Sequence, residues 1–225
     1  MISRGVKTFI DNFDRAQALT TTPGMNGWTI KDTSSGGTPT YLCITEDGGA
    51  MKLLLEATSE AQIVTMYTND VLIYDVRLLK QIWWELQVAG VDSVTTIVAG
   101  VGSAQNDTAD SVATNAWFRI QGSVSTSNLL VETDDATNDF DDKATGTTLA
   151  NVYKKLAIDF TFGFADVRFF VDGAPVARST TFDMSDLSAG LNVQPFIQLQ
   201  KASGTGIPSV TIAQFGAQWE YAYGA

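Results

Sequence analysis

The chain of 225 residues contains no histidine and a single cysteine, Cys43. Without histidine there is no His-containing catalytic triad, no imidazole base near neutral pH and no histidine-ligated zinc. One cysteine excludes a disulfide within the chain, and Cys43, inside the apolar stretch 41–44, reads as a small buried side chain. No run approaches the roughly 18 apolar residues of a membrane-spanning helix, and residues 1–10 carry no apolar leader segment. Cations are scarce as well: 14 Lys and Arg stand against 25 Asp and Glu, a formal net charge of -11. That balance excludes tracking of nucleic-acid phosphates, which needs clustered cations, and it repels anionic membranes.

What is present is apolar residues in alternation. At 44% hydrophobic and 10% aromatic the chain can bury a sizeable core, and the expectation is a single β-sandwich domain over residues 1–225, with residues 1–9 as a possible N-terminal arm. In 80–91, Ile82, Trp84, Leu86 and Val88 share one parity while Gln81, Trp83, Glu85 and Gln87 share the other. In 155–162, Leu156, Ile158, Phe160 and Phe162 alternate with Lys155, Asp159 and Thr161 in the same way. Weaker versions of the pattern bring the expected count to about a dozen strands, the signature of an all-β, antiparallel two-sheet sandwich. The last strand changes phase, which predicts a bulge near Ala213. The one helical turn expected lies at 183–188, and long loops are expected at 34–40, 103–115 and 133–151.

The most specific local signal is 166–180, DVRFFVDGAPVARST, where Asp172-Gly173 joins two β-rich runs as a hairpin turn tolerant of positive φ. A strand ending in VDG with a short return strand resembles the hairpin of laminin-G and concanavalin-like jelly rolls. The opening Ile10-Asp11-Asn12-Phe13-Asp14 and the closing Gln218-Trp219-Glu220-Tyr221 resemble the same superfamily. The resemblance implies a jelly-roll sandwich whose first and last strands lie side by side. That superfamily includes lectins, carbohydrate-binding modules, glycosidases and virion proteins, so residues rather than fold must separate the functions.

Five residues are the candidates for a ligand or interface surface: Trp83, Glu85 and Gln87 on one strand, with Trp117 and Arg119 on another, all read as one outward face. Aromatic faces stack on sugars while amides and carboxylates fix hydroxyls. Large amphipathic rings are equally at home in protein interfaces, which is the preferred reading of the two. A glycosidase needs two carboxylates at a set spacing. The Glu-x-Asp-x-x-Glu pattern of jelly-roll glucanases is absent, and Glu85 would have to find Asp159, Glu132 or Glu220 on another strand. The acidic run Asp134, Asp135, Asp139, Asp141 and Asp142 lacks the spacing of a calcium loop and reads as solvated. Gly100-Val101-Gly102 lacks the rest of a phosphate loop. The expectation is therefore no catalysis, no metal and no cofactor.

Over its whole length the pattern resembles jelly-roll virion proteins of tailed bacteriophages, capsid decoration or cement proteins above all. The resemblance implies a structural protein made in the host cytoplasm and carried on the capsid surface, binding the major capsid protein and copies of itself. Residues 1–9 and 219–225 and the faces of Trp83 and Trp117 are the candidate contact surfaces. The alternative is a carbohydrate-binding, lectin-like module of a tail, fibre or secreted protein that binds a glycan, and a glycoside hydrolase ranks below both.

Overall fold

The computed structural model describes residues 4–15, 19–20, 23–46, 48–186 and 192–222. Its strands are β1 (Arg4–Asp11), β2 (Thr29–Asp32), β3 (Thr40–Ile44), β4 (Ala50–Leu54), β5 (Gln62–Tyr67), β6 (Tyr74–Asp75), β7 (Leu79–Ala89) and β8 (Thr95–Gly102). There follow β9 (Asn115–Gln121), β10 (Asn128–Asp134), β11 (Asp139–Thr148), β12 (Lys154–Asp159), β13 (Arg168–Val171), β14 (Ala174–Val176), β15 (Asn192–Lys201) and β16 (Ser209–Ala222). The first sheet has the order β14-β13-β12-β7-β16-β4-β3, with β1 also on β16. The second has the order β11-β10-β9-β8-β15-β5-β2, with β6 on β15. Every pairing is antiparallel. This is the antiparallel two-sheet sandwich that the alternation predicts, with the first and last strands side by side as the jelly-roll resemblance implies.

The alternation also sets the core. Ile82, Trp84, Leu86 and Val88 of β7 face Ile97, Ala99 and Val101 of β8 and Ala116, Phe118 and Ile120 of β9 in one buried cluster. Trp84 donates its indole N–H across the sandwich to the Gly100 carbonyl at 3.1 Å, so this large ring is buried without an orphaned donor. Trp28 is held in the same way by Asp11, whose carboxylate accepts from Trp28 Nε1 at 2.8 Å and from the Phe13 amide at 2.9 Å. The buried ammonium of Lys201 lies among the carbonyls of Glu56, Thr58, Gly204 and Gly206, which close the end of β15.

Two local expectations hold. Asp172 and Gly173 turn the β13–β14 hairpin at φ of 51° and 78°, and the register of β16 slips between Ile212 and Gln214, which lets Ile212 and Phe215 both face inward. Others are corrected. Of the possible arm 1–9, residues 1–3 lie outside the described residues and 4–9 belong to β1, paired along β16 from Arg4↔Ala222 to Asp11↔Phe215. The expected loop 133–151 contains β11, an edge strand on which apolar alternation is nearly absent because most of its residues face water. The turn at 183–188 is not helical over its described residues; Asp183 accepts the Ser185 amide at 2.8 Å, and residues 187 and 188 lie outside the described residues. Cys43 is half-buried at the edge of the core rather than inside it.

Candidate functional site

The five candidate residues divide between the two sheets. Trp83, Glu85 and Gln87 lie on β7 in the first sheet, Trp117 and Arg119 on β9 in the second. Their inward neighbours Trp84 and Phe118 meet in the shared core, so the two sets point out of opposite faces of the sandwich. The single outward surface expected from parity is therefore not formed. Parity reports in or out along a strand, but not which sheet the strand joins.

On the first sheet, Trp83 is only 5% exposed. Its ring occupies the space beside Gly216, where a Cβ would sit 2.0 Å from it. Lys155 Nζ stands 4.8 Å over the ring centroid and the indole N–H donates to Gln214 Oε1 at 2.6 Å. The ring is covered and satisfied by the chain itself. Glu85 lies opposite Lys155 and Gln214. None of the partners foreseen for it is adjacent: Glu132 is on the other sheet, Glu220 pairs with Lys80 at 2.7 Å, and Asp159 faces Gln81, about 13 Å along the strand from Glu85 at about 3.3 Å per residue.

The second sheet's outer face is different. Its strands present Trp117, Arg119 and Gln121 from β9, Glu132 and Asp134 from β10, and Phe196 and Gln198 from β15. Loop 103–114 crosses this face, packing Ala109 and Val112 on Trp117, Phe196, Tyr67 and Val98 as a second small apolar cluster. Two amides pin the loop: Gln194 Nε2 donates to the Ser103 carbonyl at 2.9 Å and Gln198 Nε2 to the Asn106 carbonyl at 2.9 Å.

Beside the loop is a pocket of about 190 Å³ whose walls include Asp110, Arg119, Gln121, Glu132, Asp134 and Asp142. Arg119 Nη1 donates to Asp110 Oδ1 at 2.7 Å and to Glu132 Oε2 at 3.0 Å. Sharing one nitrogen holds those carboxylate oxygens within about 6 Å of each other, within reach of the roughly 5 to 5.5 Å pair of a retaining glycosidase. Asp142 Oδ1 approaches Arg119 Nε at 3.7 Å. Glu132 is 2% exposed; burial pushes its carboxyl up to about 7 against the opposing pull of the Arg119 guanidinium. Burial also raises Asp134 and Asp142, with repulsion from neighbouring carboxylates adding to it.

Seven buried side-chain polar atoms among the described residues lack a hydrogen-bond partner, and six of them border this outer face. They are Thr114 Oγ1, Asn115 Oδ1, Trp117 Nε1, Arg119 Nε, Gln121 Oε1 and Gln198 Oε1. A buried polar atom left without a partner costs about 1–3 kcal/mol, so this face concentrates hydrogen-bonding capacity that other protein groups do not meet. No set of three or more His, Cys, Asp or Glu is gathered to hold a metal ion among the described residues.

No family model matches the chain, and no curated protein is similar to it. Solved structures are. A glycoside hydrolase family 16 endo-glucanase from Bacteroides ovatus superposes with a TM-score of 0.65 at 10% identity, over 92% of this chain and 98% of that one. The carbohydrate recognition domain of Emp46p gives 0.53 at 11% identity, over 94% of each chain. The Crh5 transglycosylase gives 0.51 at 13% identity, over 93% of this chain and 83% of that one. The chain thus has the concanavalin-like jelly-roll fold, and at these identities the likeness speaks of fold alone.

The expectation that the chain does not catalyse is corrected here. Its fold is shared with an endo-glucanase and a transglycosylase, so the fold gives no ground for excluding an enzyme. The absence of histidine does not exclude catalysis either. Glycoside chemistry runs on carboxyl groups, and burial raises that of Glu132 to about 7. Sequence reasoning named Glu132 only as a partner for Glu85 and missed Asp110. The available signal was a glutamate inside the apolar strand NLLVETD, one strand away from an arginine of the same parity.

Proposed function

We propose that the chain is a carbohydrate-directed jelly-roll domain whose sugar site is the acidic pocket on the outer face of the second sheet. The observation that carries this reading is the polar floor of the pocket, where Gln121 Oε1 is buried without a hydrogen-bond partner beside Glu132, and Arg119 Nε makes no hydrogen bond and has only the 3.7 Å ion pair with Asp142. A hydroxyl both donates and accepts, so a sugar ring satisfies such a floor, and carboxylates and a guanidinium fix its orientation. At about 30 Å³ per water the pocket matches about six waters, room for one sugar ring. The carbohydrate proteins that share the fold support the same reading.

Titration with a panel of neutral oligosaccharides, followed by calorimetry, tests it. Saturable binding of at least one, weakened tenfold or more by Gln121→Ala, is expected; no binding across the panel overturns the reading. Hydrolysis is the chemistry that the raised Glu132 adds, with Glu132 as the acid and Asp110 or Asp142 as the second carboxylate. Release of reducing ends that vanishes in Glu132→Gln and survives in Glu85→Gln identifies it.

A separate reading, decoration of a phage capsid through contacts with capsid subunits and further copies of the chain, draws support from the first sheet. Register aligns Ile10, Gly216, Trp83, Ala157, Phe170 and Pro175 in one apolar row across its outer face, of which Ile10 and Pro175 are exposed and Phe170 half-buried, while Trp83 and Ala157 are covered by the chain itself. Co-sedimentation with capsid shells, lost in Ile10→Lys together with Phe170→Lys, is expected on this reading; absence of shell binding by the native chain contradicts it.

A further inference from the structure

At the β14 edge of the first sheet lies a groove of about 420 Å³ that shares no lining residue with the acidic pocket, although Phe182 on its wall packs on Phe140 of β11, the strand that carries Asp142. Its walls include Phe162, Arg168, Phe170, Pro175, Arg178 and Thr180. Phe162 is 57% exposed, although it follows the buried Phe160 in the same strand pattern. The chain turns at 161–163, which takes Phe162 out of the sheet. The Arg168 guanidinium carbon stands 3.4 Å from the Phe162 ring centroid. Asp166 Oδ2 accepts from Arg168 Nε at 3.1 Å and from Nη2 at 2.6 Å, which locks that guanidinium against the ring and leaves Nη1 uncommitted to Asp166. Arg178, exposed on the same wall, has no ion pair or hydrogen bond among the described residues. In a chain of net charge -11, a groove with two arginines and one aspartate is an exception in sign.

We propose that this groove binds an acidic sugar, one whose ring carries a carboxylate. The charge of the groove is complementary to that carboxylate, and the planar fork of a free guanidinium matches it bidentately. Phe170 and Pro175 offer apolar surface for the C–H face of the ring, and Thr180 a hydroxyl for its oxygens. Arg178 is the anchoring residue and Arg168, stacked and ion-paired, is the pre-ordered second donor. The proposal shares with the carbohydrate reading only the ligand class; its residues belong to another sheet.

The test is titration of the full chain with an oligogalacturonate, a cello-oligosaccharide of equal length and inorganic sulfate. The oligogalacturonate is expected to bind saturably and more weakly as salt rises. Arg178→Gln and Phe162→Ala, both at exposed positions, are each expected to weaken it at least tenfold, while Glu132→Gln leaves it unchanged. Equal binding of the neutral oligosaccharide, displacement by sulfate at matching concentration, indifference to Arg178→Gln, or no binding overturns the proposal. Neutral-sugar binding that depends on Gln121 while the oligogalacturonate fails to bind sinks this inference and leaves the acidic-pocket reading standing. The converse result does the opposite.

Discussion

The outer faces of the two sheets use the same residue types and arrive at opposite conditions. On the first, Trp83 lies beside Gly216, is capped by Lys155 and spends its N–H on Gln214. On the second, Gln121 Oε1 is buried without a hydrogen-bond partner, and Arg119 Nε makes no hydrogen bond and has only the 3.7 Å ion pair with Asp142. Glu85 lies in register with a lysine, whereas Glu132 is buried among carboxylates and shares a single guanidinium. A tryptophan and a glutamate on an outward strand therefore do not announce a site. What separates the two faces is whether the chain satisfies its own polar groups.

Three substitutions break or sharpen this contrast. The largest effect belongs to Arg119→Met, which leaves Glu132 buried beside Asp110 and Asp142 with no cation; a loss of about 3–5 kcal/mol is expected from urea unfolding at pH 8. Next is the pH dependence carried by Glu132. Its carboxyl rises from the ordinary 4.5 to about 7 on folding, so the folded chain holds the proton more tightly. That stabilisation is fully present below 4.5 and is lost as pH rises through 7. The native chain is expected to lose about 2–3 kcal/mol from this group between pH 5 and 8, and Glu132→Gln to flatten that slope. Smallest is Gly216→Ala on the first sheet, where the new methyl meets the Trp83 ring. A cost of about 1–3 kcal/mol is expected, with a changed indole emission, because the ring must leave its seat.

Much of the fold was legible because burial writes a period of two into a strand. β7 and β12 were read directly, and the slip in β16 showed as a change of phase. β11 was not legible, since an edge strand of Asp, Lys and Thr facing water carries no apolar alternation. The candidate site was half legible: Arg119 and Trp117 stood out by parity, but Asp110 arrives from loop 103–114, and no spacing along the chain brings it to Glu132. The merging of Trp83 with Trp117 into one surface failed for a related reason, because sheet membership is set by strand order and not by the pattern within a strand. The acidic run read as solvated is only partly so. Asp134 and Asp142 line the pocket, and Asp135 is fully buried, accepting the Thr137, Asn138 and Asp186 amides.

The most direct test of the central claim, that the second sheet's outer face is the working one, is a backbone amide shift map during titration with the best-binding neutral oligosaccharide. The account predicts that the largest shifts fall on β9, β10 and loop 103–114, and that they disappear in Gln121→Ala. Shifts confined to β7, β12 and β16 around Trp83 would contradict it.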